Sequence, residues 1–291
     1  MANKFNYGGQ AVIEGVMIRG QKNVVTVVRR PGGELAVDKQ PVPTIYTGRM
    51  RSVPLLRGII VLIETLVLGV KTLMYSANVS LEEENEKIGG WMIWTVLAVS
   101  LVFAVAIFFV GPLFLTRLIN VNTGVVFQLI EGVIRLALFI VYLKLISLMP
   151  DIKEVFAYHG AEHKVVNAYE AGVPLETEAI REYSTAHVRC GSSFIFIVLI
   201  IAILVFALIG LPSLWIMVLS RIVLVPVIAA IAYEVIQFSA RHVNNRLVRA
   251  AVAPGLWLQS LVTREPSDRQ LEVAIAALTG AVEADQLEET A

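Results

Sequence analysis

The stretch WMIWTVLAVSLVFAVAIFFVGPLFL, residues 91–115, runs for 25 residues without an ionisable side chain. At 1.5 Å per helical residue it is long enough to cross a hydrocarbon core of roughly 30 Å. Trp91 to Leu115 is therefore the first membrane span. Three more apolar blocks follow the same logic. Val125 to Leu148 is the second span, although it carries Glu131, Arg135 and Lys144; Glu131 and Arg135 are four apart and pair on one helical face. Phe194 to Ile209 is the third, closed by Gly210-Leu211-Pro212, and Leu214 to Phe238 is the fourth, with Glu234 near its end.

The composition agrees with these blocks. The 291 residues are 56% hydrophobic and only 16% charged, against roughly 25% charged in soluble domains. Mean hydropathy is +0.71. An ordinary soluble enzyme and a disordered chain are both excluded. Twenty-four basic residues balance 24 acidic ones, so no global positive field favours nucleic acid, which is not expected as a partner. The single cysteine, Cys190, excludes an internal disulfide framework and leaves a buried apolar thiol or a metal-binding one.

Ahead of the spans, residues 53–77 are apolar but carry Arg57, Glu64 and Lys71 at intervals of seven, on nearly one helical face. An amphipathic helix lying in the interface, or a re-entrant or span-like helix packed against the others with its charged face inward, fits that stripe. A glutamate-rich segment, Leu81 to Lys87, reads as solvated. Residues 1–50 lack the uninterrupted apolar core of a signal peptide. They break instead into short extended pieces separated by Gly15, Gly20 and Pro31-Gly32-Gly33, which predicts a small β-rich unit with a hairpin turn at Arg30 to Glu34. The predicted fold is mainly α: a polytopic helical membrane protein with about four spans, the extra helix at 53–77, hairpins over 91–148 and 194–238, a loop over 150–193 and a helical tail over 239–291.

The connections Arg117 to Gly124 and Gly210 to Ser213 together hold one basic residue, and the other segments hold nearly all the rest. The positive-inside rule then places both termini and the 150–193 loop in the cytoplasm, with four crossings and residues 53–77 not crossing. Glu64, Glu131, Arg135 and Glu234 must be sheltered from lipid. Pairs that fix helix register are the plainer reading, and a polar path or cavity the functional one.

The chemistry is expected in the central loop, which holds three of the four histidines. Tyr158-His159-Gly160-Ala161-Glu162-His163-Lys164 contains H-x-x-E-H, the order of the inverted zinc-peptidase motif. On a helix His159 and His163 lie one turn apart and can meet one metal ion, while Glu162 beside them can deprotonate a water. Val155 to Tyr169 reads as that helix, stopped at Ala171-Gly172-Val173-Pro174. The bland alternative is an amphipathic helix whose His and Glu face water. A third ligand is offered by His187 or Cys190 in Ser184-Thr185-Ala186-His187-Val188-Arg189-Cys190-Gly191, with Glu170 and Glu178 weaker. At the C-terminus Trp257 suits an interfacial anchor, and Ser267 with Gln270 starts a charged helix, Asp268 to Leu278, that frays from Glu283.

Those two strings, together with Gly8-Gly9-Gln10-Ala11-Val12-Ile13-Glu14-Gly15-Val16-Met17-Ile18-Arg19-Gly20 and Pro254-Gly255-Leu256-Trp257-Leu258-Gln259 with Thr263-Arg264-Glu265-Pro266, resemble the YqhQ family of uncharacterised bacterial membrane proteins over nearly the whole chain. The resemblance implies a bacterial inner-membrane location and a metal-dependent enzyme of unassigned substrate, with His159, Glu162, His163, His187 and Cys190 at the matching positions. It adds Glu14, Arg19 and Arg189 as site candidates. Val188 stands where the resemblance leads one to expect proline, a departure that bears on the turn presenting Cys190.

Two functions remain in view. One is a membrane-embedded metal-dependent hydrolase with His159 and His163 as ligands to a divalent ion, zinc foremost, His187 or Cys190 as third ligand and Glu162 as base. The other is a non-enzymatic scaffold or a transporter, the latter needing a polar cavity around Glu131, Arg135 and Glu234. Membrane lipids, further copies of the chain and other membrane proteins are the expected partners.

Overall fold

The glycine-punctuated N-terminus folds into four antiparallel strands in sequential order: β1 (Gly8–Val12), β2 (Gly15–Arg19), β3 (Asn23–Arg29) and β4 (Leu35–Pro41). The computed structural model describes residues 5–43, 46, 48, 51, 53–82, 90–119, 121, 123–210, 213–242 and 244–289. Gly33, at φ 94°, closes the β3–β4 hairpin, where the Arg30 amide donates to the Glu34 carbonyl at 2.8 Å.

The strands alternate their side chains, yet the two central strands are buried on both faces. Val16, Ile18, Val25 and Val27 enter one core with the helices α5 (Pro150–Ala171) and α10 (Asp268–Glu289). Met17, Val24 and Val28 face the other way, onto α1 (Leu56–Ser80), meeting Leu68 and Val79. The predicted β-rich unit is therefore the middle of a helix–sheet–helix sandwich, and its partners come from three distant parts of the chain.

The apolar stretches form the helices their length demands. The first, α2 (Gly90–Val105), continues through a π-helical segment (Ala106–Val110) into α3 (Gly111–Leu118). The others are α4 (Gly124–Ile146), α7 (Gly191–Ile209) and α8 (Leu214–Arg241), with α9 (Arg246–Gln259) beside the last two, while the short α6 (Thr177–Arg181) packs on α5 and α10. Counting α1, five helices among the described residues are long and apolar enough to cross a membrane. The glutamate-rich stretch expected to be solvated lies mostly outside the described residues; Glu82, within them, pairs with Arg30.

The sheet is packed between α1 on one face and α5 with α10 on the other. Three membrane-length helices lie between β4 and α5, and α1 is the one that packs on the sheet. Its buried positions, Ile60, Glu64, Leu68, Thr72 and Ser76, recur every four residues, while Ile63, Leu66 and Leu73 stay exposed. The helix lies three residues later than expected at each end, and its length and hydropathy also suit a membrane span. Its N-terminal half packs on α8, where a Cβ at Gly58 would strike the Ala230 backbone.

Two expectations about the tail are corrected. The last helix runs to Glu289 instead of fraying at Glu283, and it is core, not solvated: Leu271, Ala274, Leu278 and Ala281 are fully covered. The cause is the apolar face of β2 and β3, which this helix and α5 cover. Asp285 then ties the end down by accepting from the Gln21 amide at 2.6 Å, the Lys22 amide at 3.1 Å and the Tyr7 hydroxyl at 3.1 Å.

Candidate metal centre

The middle of α5 carries H-x-x-E-H. The helix is longer than predicted because Pro150 opens it and Asp151 sits in its first turn. Gly172, at φ 76°, caps it where the stop was expected. Far from facing water, the segment is enclosed: Glu162 is 4% exposed and His163 2%. Gly160 permits this, since a Cβ there would collide with the Arg264 carbonyl of the strap that crosses the helix, whose amide donates to the Phe156 carbonyl at 2.9 Å.

Each imidazole of the motif is held through Nδ1 by a backbone carbonyl. His159 Nδ1 is 2.8 Å from the Val262 oxygen, and His163 Nδ1 is 2.6 Å from the Thr185 oxygen. A carbonyl only accepts, so both Nδ1 atoms carry a proton, and in the neutral ring each Nε2 then presents a lone pair. Cys190 supplies the third donor, with Sγ 3.2 Å from His159 Nε2. The ligand-capable atoms of His159, His163 and Cys190 lie within 4.8 Å of one another, a bound about 1 Å wider than the edge of about 3.4 to 3.8 Å that bonds of 2.0 to 2.3 Å give in a tetrahedron. This donor set could hold a metal ion. The Glu162 carboxylate approaches the same place, with Oε2 3.5 Å from His163 Nε2.

Cys190 is buried, as its apolar reading requires, but it is not an inert hydrophobe. It is the N-cap of α7, and its sulfur accepts from the Ser192 amide at 3.4 Å and meets the Ser192 hydroxyl at 3.2 Å. The turn that presents it forms despite Val188. Gln259 holds that turn from α9: its Oε1 accepts from the His187 amide at 2.9 Å, and its Nε2 donates to the His187 carbonyl at 2.7 Å and to Ser193 Oγ at 3.0 Å. Gln259 is fully buried. Sequence reasoning quoted it only inside a longer string, and a lone glutamine gives no periodic signal.

His187, the competing third ligand, stands apart. Its ring centroid is 5.7 Å from that of His163, and its Nε2 is 3.6 Å from Glu170. Glu170 also pairs with Arg189. Partial burial pushes the Glu170 carboxyl upward, but the hydrogen bond to His187 and the Arg189 charge outweigh it and hold the group below its ordinary range. Glu178, in the first turn of α6, is not part of the cluster.

The remaining candidates fall into separate groups. Glu14, at φ 51° in the β1–β2 turn, accepts from Tyr158 Oη at 3.2 Å. Burial and the neighbouring Glu154 raise its pKa. Arg19 pairs at 2.9 Å with the buried Glu64, whose other oxygen takes Arg51 at 2.5 Å. Glu131 and Arg135 pair as predicted, and Arg135 Nε donates at 2.9 Å to the Phe108 carbonyl inside the π-helical segment, where the regular ladder is interrupted. Glu234 pairs with Arg57 and accepts from the Leu55 amide at 3.1 Å. Glu131 and Arg135 thus form one ion pair and Glu234 part of another, each with its own partners.

Residues 53–284 match the family described as "Protein of unknown function (DUF1385)". The chain is also 37% identical to the protein named "Uncharacterized protein YqhQ" of Bacillus subtilis (strain 168), over 97% of this chain and 94% of that one. No solved structure matches it.

Proposed function

We propose, on the premise that the chain belongs to the DUF1385 family of proteins of unknown function, that it is a metal-dependent hydrolase embedded in the bacterial inner membrane. The site faces the cytoplasm. His159 Nε2, His163 Nε2 and Cys190 Sγ hold the ion, and Glu162 is the base.

One observation carries this reading: three donors from two separate segments converge, with both histidine Nδ1 atoms anchored by carbonyls. Such anchors fix ring orientation and raise ligand basicity. Two nitrogens and one sulfur suit zinc, with a fourth position for water or substrate. When bound, the ion polarises a carbonyl or phosphoryl oxygen and acidifies a water. The Glu162 carboxylate, nearly enclosed beside His163, accepts the proton from the attacking water and returns it to the leaving group. His187, positioned by Gln259 and Glu170, borders the site as a polar wall. The cytoplasmic assignment follows from the sparse basic charge of the connections 117–124 and 210–213. On this assignment α1 lies in the cytoplasmic interface, its exposed apolar face in the lipid.

Elemental analysis of the detergent-purified protein tests the reading. About one zinc per chain is expected, lost in His159→Ala, His163→Ala and Cys190→Ser and retained in Glu162→Gln, which abolishes turnover while keeping the ion. A wild-type protein that takes up no zinc or iron on reconstitution would falsify it.

A further inference from the structure

The stripe of α5 that carries the two histidines does not end with them. His159, His163 and Asn167 are spaced four apart, so their side chains lie along one face, and Glu170 follows three residues on. This face meets the chain between α6 and α7, residues 182–190, which forms neither helix nor strand. Such a segment keeps a fixed course only where its polar backbone groups find partners outside it.

The anchors follow the helix in order. The Thr185 carbonyl accepts from His163 Nδ1 at 2.6 Å. The carbonyls on either side of it belong to Asn167, whose Nδ2 donates to the Ser184 oxygen at 2.9 Å and to the Ala186 oxygen at 3.1 Å. An amide nitrogen has two hydrogens, and these two carbonyls use both. Glu170 then takes Arg189 and lies 3.6 Å from His187 Nε2. Inside the loop, Ser184 Oγ accepts from the Ala186 amide at 3.0 Å. The peptide that presents the Thr185 carbonyl is therefore pinned at its amide end by Ser184, and the peptides before and after it are pinned by Asn167. Contacts that His163 does not itself make hold that carbonyl against its ring.

We propose that Asn167 is the positioning residue for His163: by fixing Ser184 and Ala186 it aims the Thr185 carbonyl at Nδ1, and the hydrogen bond made there leaves the Nε2 lone pair free. That this prepares the ring for a metal ion rests on the hydrolase reading; the control of the proton does not. His159 is independent of Asn167, because its Nδ1 partner is the Val262 carbonyl of the strap beyond α9. The two rings of the motif thus take their orientation from two different segments, and Asn167 governs one of them. Asn167 is itself only half-buried, so replacing it leaves the packed side of α5 intact.

The test is nitrogen NMR of the full-length, metal-free protein with isotope-labelled histidine, for wild type, Asn167→Ala and Asn167→Asp, with zinc affinity measured in parallel. His159→Gln and His163→Gln assign the signals. Asn167→Asp keeps the shape of the side chain and sets two acceptors against two carbonyls; Asn167→Ala removes the donors alone. In the wild type both rings carry the proton on Nδ1. In both Asn167 variants His163 gains a form protonated on Nε2 while His159 is unchanged, and zinc binds about ten- to hundredfold more weakly. An unchanged His163 in both variants overturns the proposal, and so does an equal change at His159, which reports general loosening. A wild type that binds no zinc, with the His163 change still present in the variants, leaves Asn167 in its role and removes only the metal reading. Zinc bound alike by all three proteins, with His163 unchanged, does the reverse.

Discussion

Gln259 grips the His187 peptide from both sides, its carbonyl oxygen on the amide and its amide nitrogen on the carbonyl, and one helix thereby fixes the turn that aims Cys190. Gln259→Leu keeps the volume and leaves the His187 peptide and the Ser193 hydroxyl without a partner. It is expected to cost about 2 to 4 kcal/mol in denaturant unfolding and to weaken zinc binding roughly ten- to hundredfold, as loss of a supporting shell does. An unchanged zinc affinity would detach α9 from the site.

Gly160→Ala and Gly255→Ala separate two glycines that look alike in the sequence. The first drives a methyl into the Arg264 carbonyl, a backbone atom that cannot swing away. It should destabilise by about 3 kcal/mol. The second meets only ordinary contacts with Ser193 and Phe196, at 3.5 to 3.8 Å, and gains about 0.5 to 1 kcal/mol of helix propensity. Thermal melts of both variants decide the matter, and equal shifts contradict the packing described for α5.

Asp285→Ala removes the acceptor of three hydrogen bonds from Tyr7, Gln21 and Lys22. A loss of about 2 kcal/mol is expected, with increased hydrogen exchange in the loop between β2 and β3. Leu287→Ala, at a position 67% exposed, serves as the silent control. If both variants melt alike, the end of α10 is as loose as its acidic sequence suggests.

Glu14 gives a pH dependence of definite sign. Its folded pKa is raised above the ordinary 4.5 by burial and by Glu154, with the Tyr158 hydroxyl and Arg29 opposing. The native state then holds the proton longer than the unfolded chain does, so stability is fully present below the ordinary value and is lost as pH rises through the folded one. Glu14→Gln should raise the melting temperature at neutral pH and converge with the wild type near pH 4. A constant difference across that range is the outcome that removes the raised Glu14 pKa as the cause.

Length and apolarity made the membrane-length helices legible, because crossing hydrocarbon leaves the backbone few options. The i, i+4 spacing likewise announced both the Glu131–Arg135 pair and the facing of His159 and His163. What the sequence hid is non-local. Nothing near Asp285 says that its partners are the amides of residues 21 and 22, so a helix end held by tertiary contacts read as a frayed one. Cys190 and His187 were indistinguishable as third ligands, since their order depends on Gln259, 69 residues beyond the cysteine. The charges of Glu64 and Glu234 demanded partners, but spacing could not name Arg19, Arg51 and Arg57.

The double burial of β2 and β3 sets a timetable for biogenesis. The strands leave the ribosome first, and α1 arrives at once to shield one of their faces. The other face waits for α5 and then for α10, where Gly280 finally meets Val25. At 5 to 20 residues per second, more than two hundred intervening residues leave that valine surface bare for on the order of ten seconds or more. Both hairpins of membrane length are synthesised in that interval. The carbonyls that hold the two histidines, those of Thr185 and Val262, are thus in place only once those helices have been made, and on the proposed function ion uptake is a late step that a chain truncated before them never reaches.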